Sequence, residues 1–205
     1  MGKHKAHQGL RERKHQQPRY WNKLPVVAPV PAPAVTLAKA AEPAVPPPRR
    51  TKPAARVWNP ALLADVQRHL GYTFTDPQLL QLSLTHSSLG SPHNERLEYL
   101  GDAVLGVVVG SWLYQHYPHW APGQLTEIRS ALVNTAALAA YARQWELPYA
   151  LHCSLSADAH GIRRNTQIAA NTLEALIGAL WIDSGYCWQT VLEVMHRHLQ
   201  QRLNR

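Results

Sequence analysis

Asn94-Glu95-Arg96-Leu97-Glu98-Tyr99-Leu100-Gly101-Asp102-Ala103-Val104-Leu105 mixes charge and apolar bulk at the period of an α-helix. Leu97, Leu100, Val104, Leu105 and Val108 recur every three or four residues and draw one apolar stripe along a helix predicted from about Glu95 to Tyr114. Asn94 stands where an N-cap belongs. Glu95, Glu98 and Asp102 share another side of the same helix.

The neighbouring segments carry the same helical grammar. Asn59-Pro60 reads as an N-cap and first helical residue opening Ala61–Leu70, with Gly71 as the stop. Asp76-Pro77 repeats the device before Leu79–Thr85. Downstream, Pro118 and Pro122 bound a loop, and a single helix is predicted over Leu125–Trp145. A loop with a short turn crosses Pro148–Gly161, and helices follow over Asn165–Ile182 and Cys187–Leu203. Trp112, Trp145, Trp181 and Trp188 fall on apolar faces and are expected in the core. Strand signals are nearly absent, so the predicted fold class is all-α.

Charge divides the 205 residues in two. Residues 1–56 hold 12 basic and 2 acidic side chains, whereas residues 57–205 hold 9 basic and 11 acidic, so the net +8 is a basic arm on a nearly neutral domain. The arm also contains 10 of the 16 prolines, which block helix propagation and favour extension. We read residues 1–56 as a disordered basic, Pro/Ala-rich arm and 57–205 as the helical domain. The arm is either a solubilising leader or a segment that contacts phosphates and orders on binding.

No run of about 18 apolar residues is present, so no membrane partner is expected. Cys153 and Cys187 are too few for a disulfide scaffold and lack zinc spacing. They suit free thiols in a reducing compartment, read as a bacterial cytoplasm. The Arg/Lys-rich start keeps a mitochondrion or plastid as the alternative.

The acids are the chemical feature. Three like charges on one helix face repel one another, with no lysine anywhere in the domain. Glu174 lies inside the apolar segment Ile168–Leu180, where a carboxylate needs a partner, a cleft or a metal. A hard divalent cation explains these features together; helix-surface pairing with Arg96 or a distant arginine is the plainer explanation. His86 reads as a capping or packing residue or a general base. Asp183 reads as a helix-terminus contact or a further ligand.

Asn94 to Leu105 resembles the signature of the ribonuclease III family. The likeness continues through Leu84-Thr85-His86-Ser87-Ser88, through Leu125 to Val133, and through Ala170-Asn171-Thr172-Leu173-Glu174-Ala175-Leu176-Ile177-Gly178-Ala179. These blocks span roughly residues 58–203. The resemblance implies a ribonuclease III-like endonuclease fold, a homodimer, and Mg²⁺-dependent hydrolysis of double-stranded RNA to 5′-phosphate and 3′-hydroxyl ends, with Mn²⁺ as a substitute ion. It implies Glu98, Asp102, Asn171 and Glu174 as metal ligands, with Asp102 and Glu174 catalytic. Glu95 falls beside the scissile region or aids RNA contact, and Tyr99 and Gly101 fall at a subunit interface.

Three departures matter. Asn171 occupies a position that usually holds Asp, so it offers an oxygen without a charge. Pro122 falls where a loop acid is common, and Ser87 where Arg is common. The likeness is to the endonuclease domain alone, and the family's double-stranded RNA-binding domain is not expected in residues 1–205.

Arg96, Arg129, Arg163 and Arg164 are the candidate RNA-binding cations, Arg163 and Arg164 being either phosphate contacts or a solvated loop end. The expected function is endonucleolytic cleavage of double-stranded or structured RNA, such as ribosomal RNA precursors. The alternative is a non-catalytic, RNA-binding or ribosome-associated protein on the same fold, with pre-ribosomal particles as partners.

Overall fold

The computed structural model describes residues 58–203. The arm expected over residues 1–56 lies outside the described residues. Within them, every regular element is helical apart from one two-residue bridge, in agreement with the predicted class.

Local chemistry sets the helix boundaries. Helix α1 (Pro60–Leu70) starts at Asn59, whose side chain accepts from the Ala61 N–H, and stops at Gly71, left-handed at φ 71°. Helix α2 (Pro77–Ser83) starts at Asp76 in the same manner. Helix α3 (Glu95–His116) is the long helix expected from the acidic stretch. Asn94, however, makes no side-chain cap. It is buried, and its side-chain amide donates to the Ser83 carbonyl at 3.3 Å while its backbone N–H donates to Thr85 at 2.9 Å. Asn94 thus ties α3 to the end of α2.

The helix predicted over Leu125–Trp145 is two helices, α4 (Pro122–Val133) and α5 (Thr135–Gln144). Asn134 between them is extended at ψ 161° and accepts from the Ala137 N–H at 2.8 Å, a fresh N-cap inside an otherwise helical pattern. The predicted loop that follows carries α6 (Leu147–Ala150), α7 (Leu155–Ala159) and a 3₁₀ turn at Ile162–Arg164. Helices α8 (Thr166–Asp183) and α9 (Trp188–Leu203) complete the described chain. None of these helices is long and apolar enough to cross a membrane.

Helix α8 is apolar nearly all round, and from Ala169 to Leu180 only Asn171 and Glu174 are not buried. A helix of that kind belongs at the centre. Helices α3 and α5 pack along it, with α2, α6 and α9 against the remaining surface. Truncating a leucine as buried as Leu173, 1% exposed, removes roughly 2–5 kcal/mol of stability. Trp112 and Trp145 are buried, and Trp181 and Trp188 pack against the core.

Two glycines let α3 and α8 touch. A Cβ on Gly101 would stand 1.8 Å from the Glu174 carbonyl oxygen, and one on Gly178 would stand 2.2 Å from that of Leu97. Gly101, which the resemblance places at a subunit interface, is instead buried within one chain at this crossing.

Asp183 closes the far end of α8 as a terminus contact. Its carboxylate accepts from the Tyr72 hydroxyl at 2.7 Å and from the Thr75 and Asp76 N–H groups at 2.8 Å. Burial pushes this carboxyl up, but the two amides and the hydroxyl prevail and hold it below the usual range.

Candidate active site

The glycine crossing decides where the acids meet. Gly101 lies between Glu98 and Asp102 on α3, and its Cα faces the backbone of Glu174 on α8. The backbone of Glu174 therefore packs against the turn of α3 that carries Glu98 and Asp102. Burial first, then the charges of Asp102 and Glu98, push its carboxyl up to about 7. Glu98 is also raised, by burial, by Glu95 and by Asp102, against a hydrogen bond from Asn171 that favours its charged form. Glu95 is more exposed and sits 3.8 Å from His93.

Among the described residues no arginine pairs with this cluster. Among the described residues the ion pairs are Arg68–Asp65, His93–Glu95 and Arg163–Asp158, so Glu98, Asp102 and Glu174 enter none.

A pH dependence follows. The folded pKa of Glu174, about 7, exceeds its unfolded value of roughly 4.3. The corresponding stability is full below the unfolded pKa and is lost as pH rises through 7. Between pH 5 and 8 without metal, the melting temperature of the chain is expected to fall relative to that of Glu174→Gln. Parallel melting curves contradict it.

Mg²⁺ takes oxygen ligands, usually one or two carboxylates with waters completing the shell. The donor set fits such an ion: Glu98, Asp102 and Glu174 are hard, anionic and uncompensated on two touching helices. Among the described residues, no group of three or more His, Cys, Asp or Glu side chains is placed to hold a metal ion by itself. A water-completed shell is the form that suits them.

Asn171, expected as a ligand, stands on the same side of α8 as Glu174, and its Oδ1 accepts from Gln167 Nε2 at 2.6 Å. Gln167 was not singled out by the sequence reading; the signal available was its four-residue spacing from Asn171.

The arginines separate into two groups. Arg163 is not a free phosphate contact: its guanidinium bonds Asp158 at 2.8 Å and donates to the carbonyls of Pro148, Tyr149 and Leu151. It pins the α6–α7 segment. Arg164 is exposed and lines a cavity of about 560 Å³ with Arg143 and Tyr149, at the start of α8. Arg96 and Arg129 are exposed on α3 and α4, the Arg129 stem lying over Gly110. His86 serves as a cap, its Nδ1 accepting from the Ser88 N–H at 3.0 Å.

On the solvent side of α3, Tyr99 is 82% exposed, Tyr114 74% and Val107 59%. Ala103 is exposed between them, which makes an apolar strip along the outside of the helix that carries the acids.

The chain resembles known proteins over most of its described residues. The family model described as Ribonuclease-III-like matches residues 76–203. The chain is 41% identical over 140 residues to the Ribonuclease 3 of Buchnera aphidicola subsp. Schizaphis graminum, a match covering 68% of this chain. It spans 61% of that relative's length. Among solved structures it resembles the nuclease domain of a Campylobacter jejuni ribonuclease III, which shows structural flexibility in a region involved in dimer formation. That likeness has TM-score 0.64 and 34% identity, covering 68% of this chain and 96% of that one. Dicer from Pichia stipitis is more distant, with TM-score 0.52 and 27% identity over 63% of this chain and 57% of that one.

Proposed function

The chain belongs to the ribonuclease-III-like family, and from that premise we propose that it is a Mg²⁺-dependent endonuclease of double-stranded or structured RNA that works as a homodimer. One observation carries the reading: Glu174 is half-buried against Glu98 and Asp102 and enters no ion pair among the described residues. A scaffold gains nothing from that repulsion. A site for a doubly charged ion requires it.

Glu98, Asp102 and Glu174 would hold the ion, which would supply positive charge for polarising the phosphodiester, activating a water and stabilising the departing oxygen. The reaction breaks one P–O3′ bond. Water gives its oxygen to the phosphate and a proton to the 3′ oxygen. Arg96, Arg129 and Arg164 reach backbone phosphates, which suits recognition of duplex shape rather than sequence. The strip of Tyr99, Ala103, Val107 and Tyr114 is the surface on which a second copy docks. Precursors of ribosomal RNA supply substrates with the required duplex stems.

Purified full-length chain is incubated with a generic RNA duplex, with Mg²⁺ or with chelator, and the products are separated on a gel. Cleavage is expected with Mg²⁺ and with Mn²⁺, and none with chelator, from a species that sediments at twice the chain mass. Tight duplex binding without cleavage in any metal overturns the enzyme reading and leaves an RNA-associated scaffold.

A further inference from the structure

Helix α9 packs against α3 and α8, with Val191, Val194 and Met195 buried in the core. His196 follows them and is partly buried. The Trp112 indole of α3 donates from Nε1 to His196 Nδ1 at 2.7 Å. Trp112 is 3% exposed, and an indole N–H can only donate. His196 must therefore offer Nδ1 as an acceptor. A neutral ring with its proton on Nε2 does so, and an imidazolium does not.

His116, one turn further along α3, completes the group. Its ring stacks on that of Trp112 with centroids 4.4 Å apart, and lies 5.7 Å from that of His196. Its Nδ1 is 2.8 Å from the Trp112 carbonyl, which only accepts, so this nitrogen carries a proton. The remaining ring at this end of α3 is Tyr117, edge-on to Trp112 at 5.9 Å. On α8, Glu174 lies at the Gly101 crossing, and Asp183 is bonded to Tyr72, Thr75 and Asp76. Glu193 of α9 itself is exposed and acts on Cys187. Among the described residues no ion pair reaches His196. Burial first, and then His116, hold its imidazole below the usual range.

We propose that His196 is a proton-operated latch between α9 and α3. Neutral, it satisfies the buried Trp112 indole. Protonated at Nδ1, it sets two N–H donors face to face, strands the indole donor and brings positive charge beside the His116 ring. Helix α9 then opens around His196, where the imidazolium reaches water. Because the folded pKa lies below the unfolded value of roughly 6.5, the latch is complete above that pH. Its contribution is lost as pH falls through the unfolded pKa toward the folded one. The latch needs no metal and no RNA.

The test is backbone amide exchange of the full chain between about pH 8 and pH 5, corrected for intrinsic exchange, in the parent and in His196→Asn. Asparagine places an oxygen near the position of Nδ1 and has no proton to gain. The parent is expected to lose on the order of tenfold protection in α9 around residue 196 as the pH falls. His196→Asn is expected to lose none. Parent protection that ignores pH overturns the proposal, as does an equal loss in His196→Asn.

A second measurement uses the parent and needs no folded position-196 variant. The indole N–H signal of Trp112, assigned by its disappearance in Trp112→Phe, should shift with the same midpoint as the His196 ring signals. An indole signal that stays fixed while His196 titrates overturns the latch.

Discussion

Glu174→Gln is expected to lower Mg²⁺-dependent duplex cleavage by about a thousandfold or more, equivalent to roughly 4 kcal/mol of lost transition-state stabilisation. The substitution keeps size and shape and removes one charge from a half-buried position. Burial, Asp102 and Glu98 already disfavour that charge in the absence of metal. The variant should therefore fold as well as the parent above pH 7, or better. Loss of activity with retained or raised stability separates a ligand from a packing residue. Initial cleavage rates and thermal melts on the same preparations check both halves, and a variant that cuts at the parent rate contradicts the assignment of Glu174.

The second large effect is structural. Gly178→Ala is expected to cost about 3 kcal/mol, since it drives a methyl group into the Leu97 carbonyl, 2.2 Å from the new Cβ. For a domain of this size that corresponds to a melting temperature lower by roughly 10 °C. Gly101→Ala meets the Glu174 carbonyl at 1.8 Å and should cost at least as much. Because it pushes α3 away from α8, it also withdraws Glu98 and Asp102 from Glu174, so cleavage falls with stability. Gly123→Ala is the control: no atom lies within 4 Å of its Cβ, and helix propensity alone should make the change neutral or mildly stabilising. Equal melting temperatures for parent and Gly178→Ala contradict the close crossing.

Much of this architecture is legible in the chain because its signals are local. Asn59-Pro60, Gly71 and Asp76-Pro77 mark helix ends through bonds to residues two to four positions away, and the structure places the ends there. The apolar stripe of α3 and the nearly continuous apolar run of α8 likewise reveal a helix and its burial. What escaped the reading depends on partners distant in sequence, or on competing local signals. Asn134 has the chemistry of an N-cap but sits inside a helical apolar pattern, and the pattern concealed the break. Asn94 has the same chemistry and gives its side chain to Ser83 instead.

The site follows the same rule. Glu98, Asp102 and Glu174 stand out as carboxylates clustered on apolar helices. That Gly101 serves a crossing within the chain depends on where α8 passes, which no local pattern records. The two adjacent arginines look alike in sequence. Only the folded loop shows that Arg163 is spent on Asp158 and three backbone carbonyls while Arg164 remains exposed. Asn171 reads as a ligand without charge, and only the fold shows that Gln167 donates to its oxygen.

The most direct measurement is anomalous diffraction from crystals of the chain soaked in Mn²⁺. The expected result is a peak at the α3–α8 crossing, bounded by the carboxylates of Glu98, Asp102 and Glu174. The contradicting result is the absence of a peak there, with the three carboxylates turned apart or neutralised by arginines.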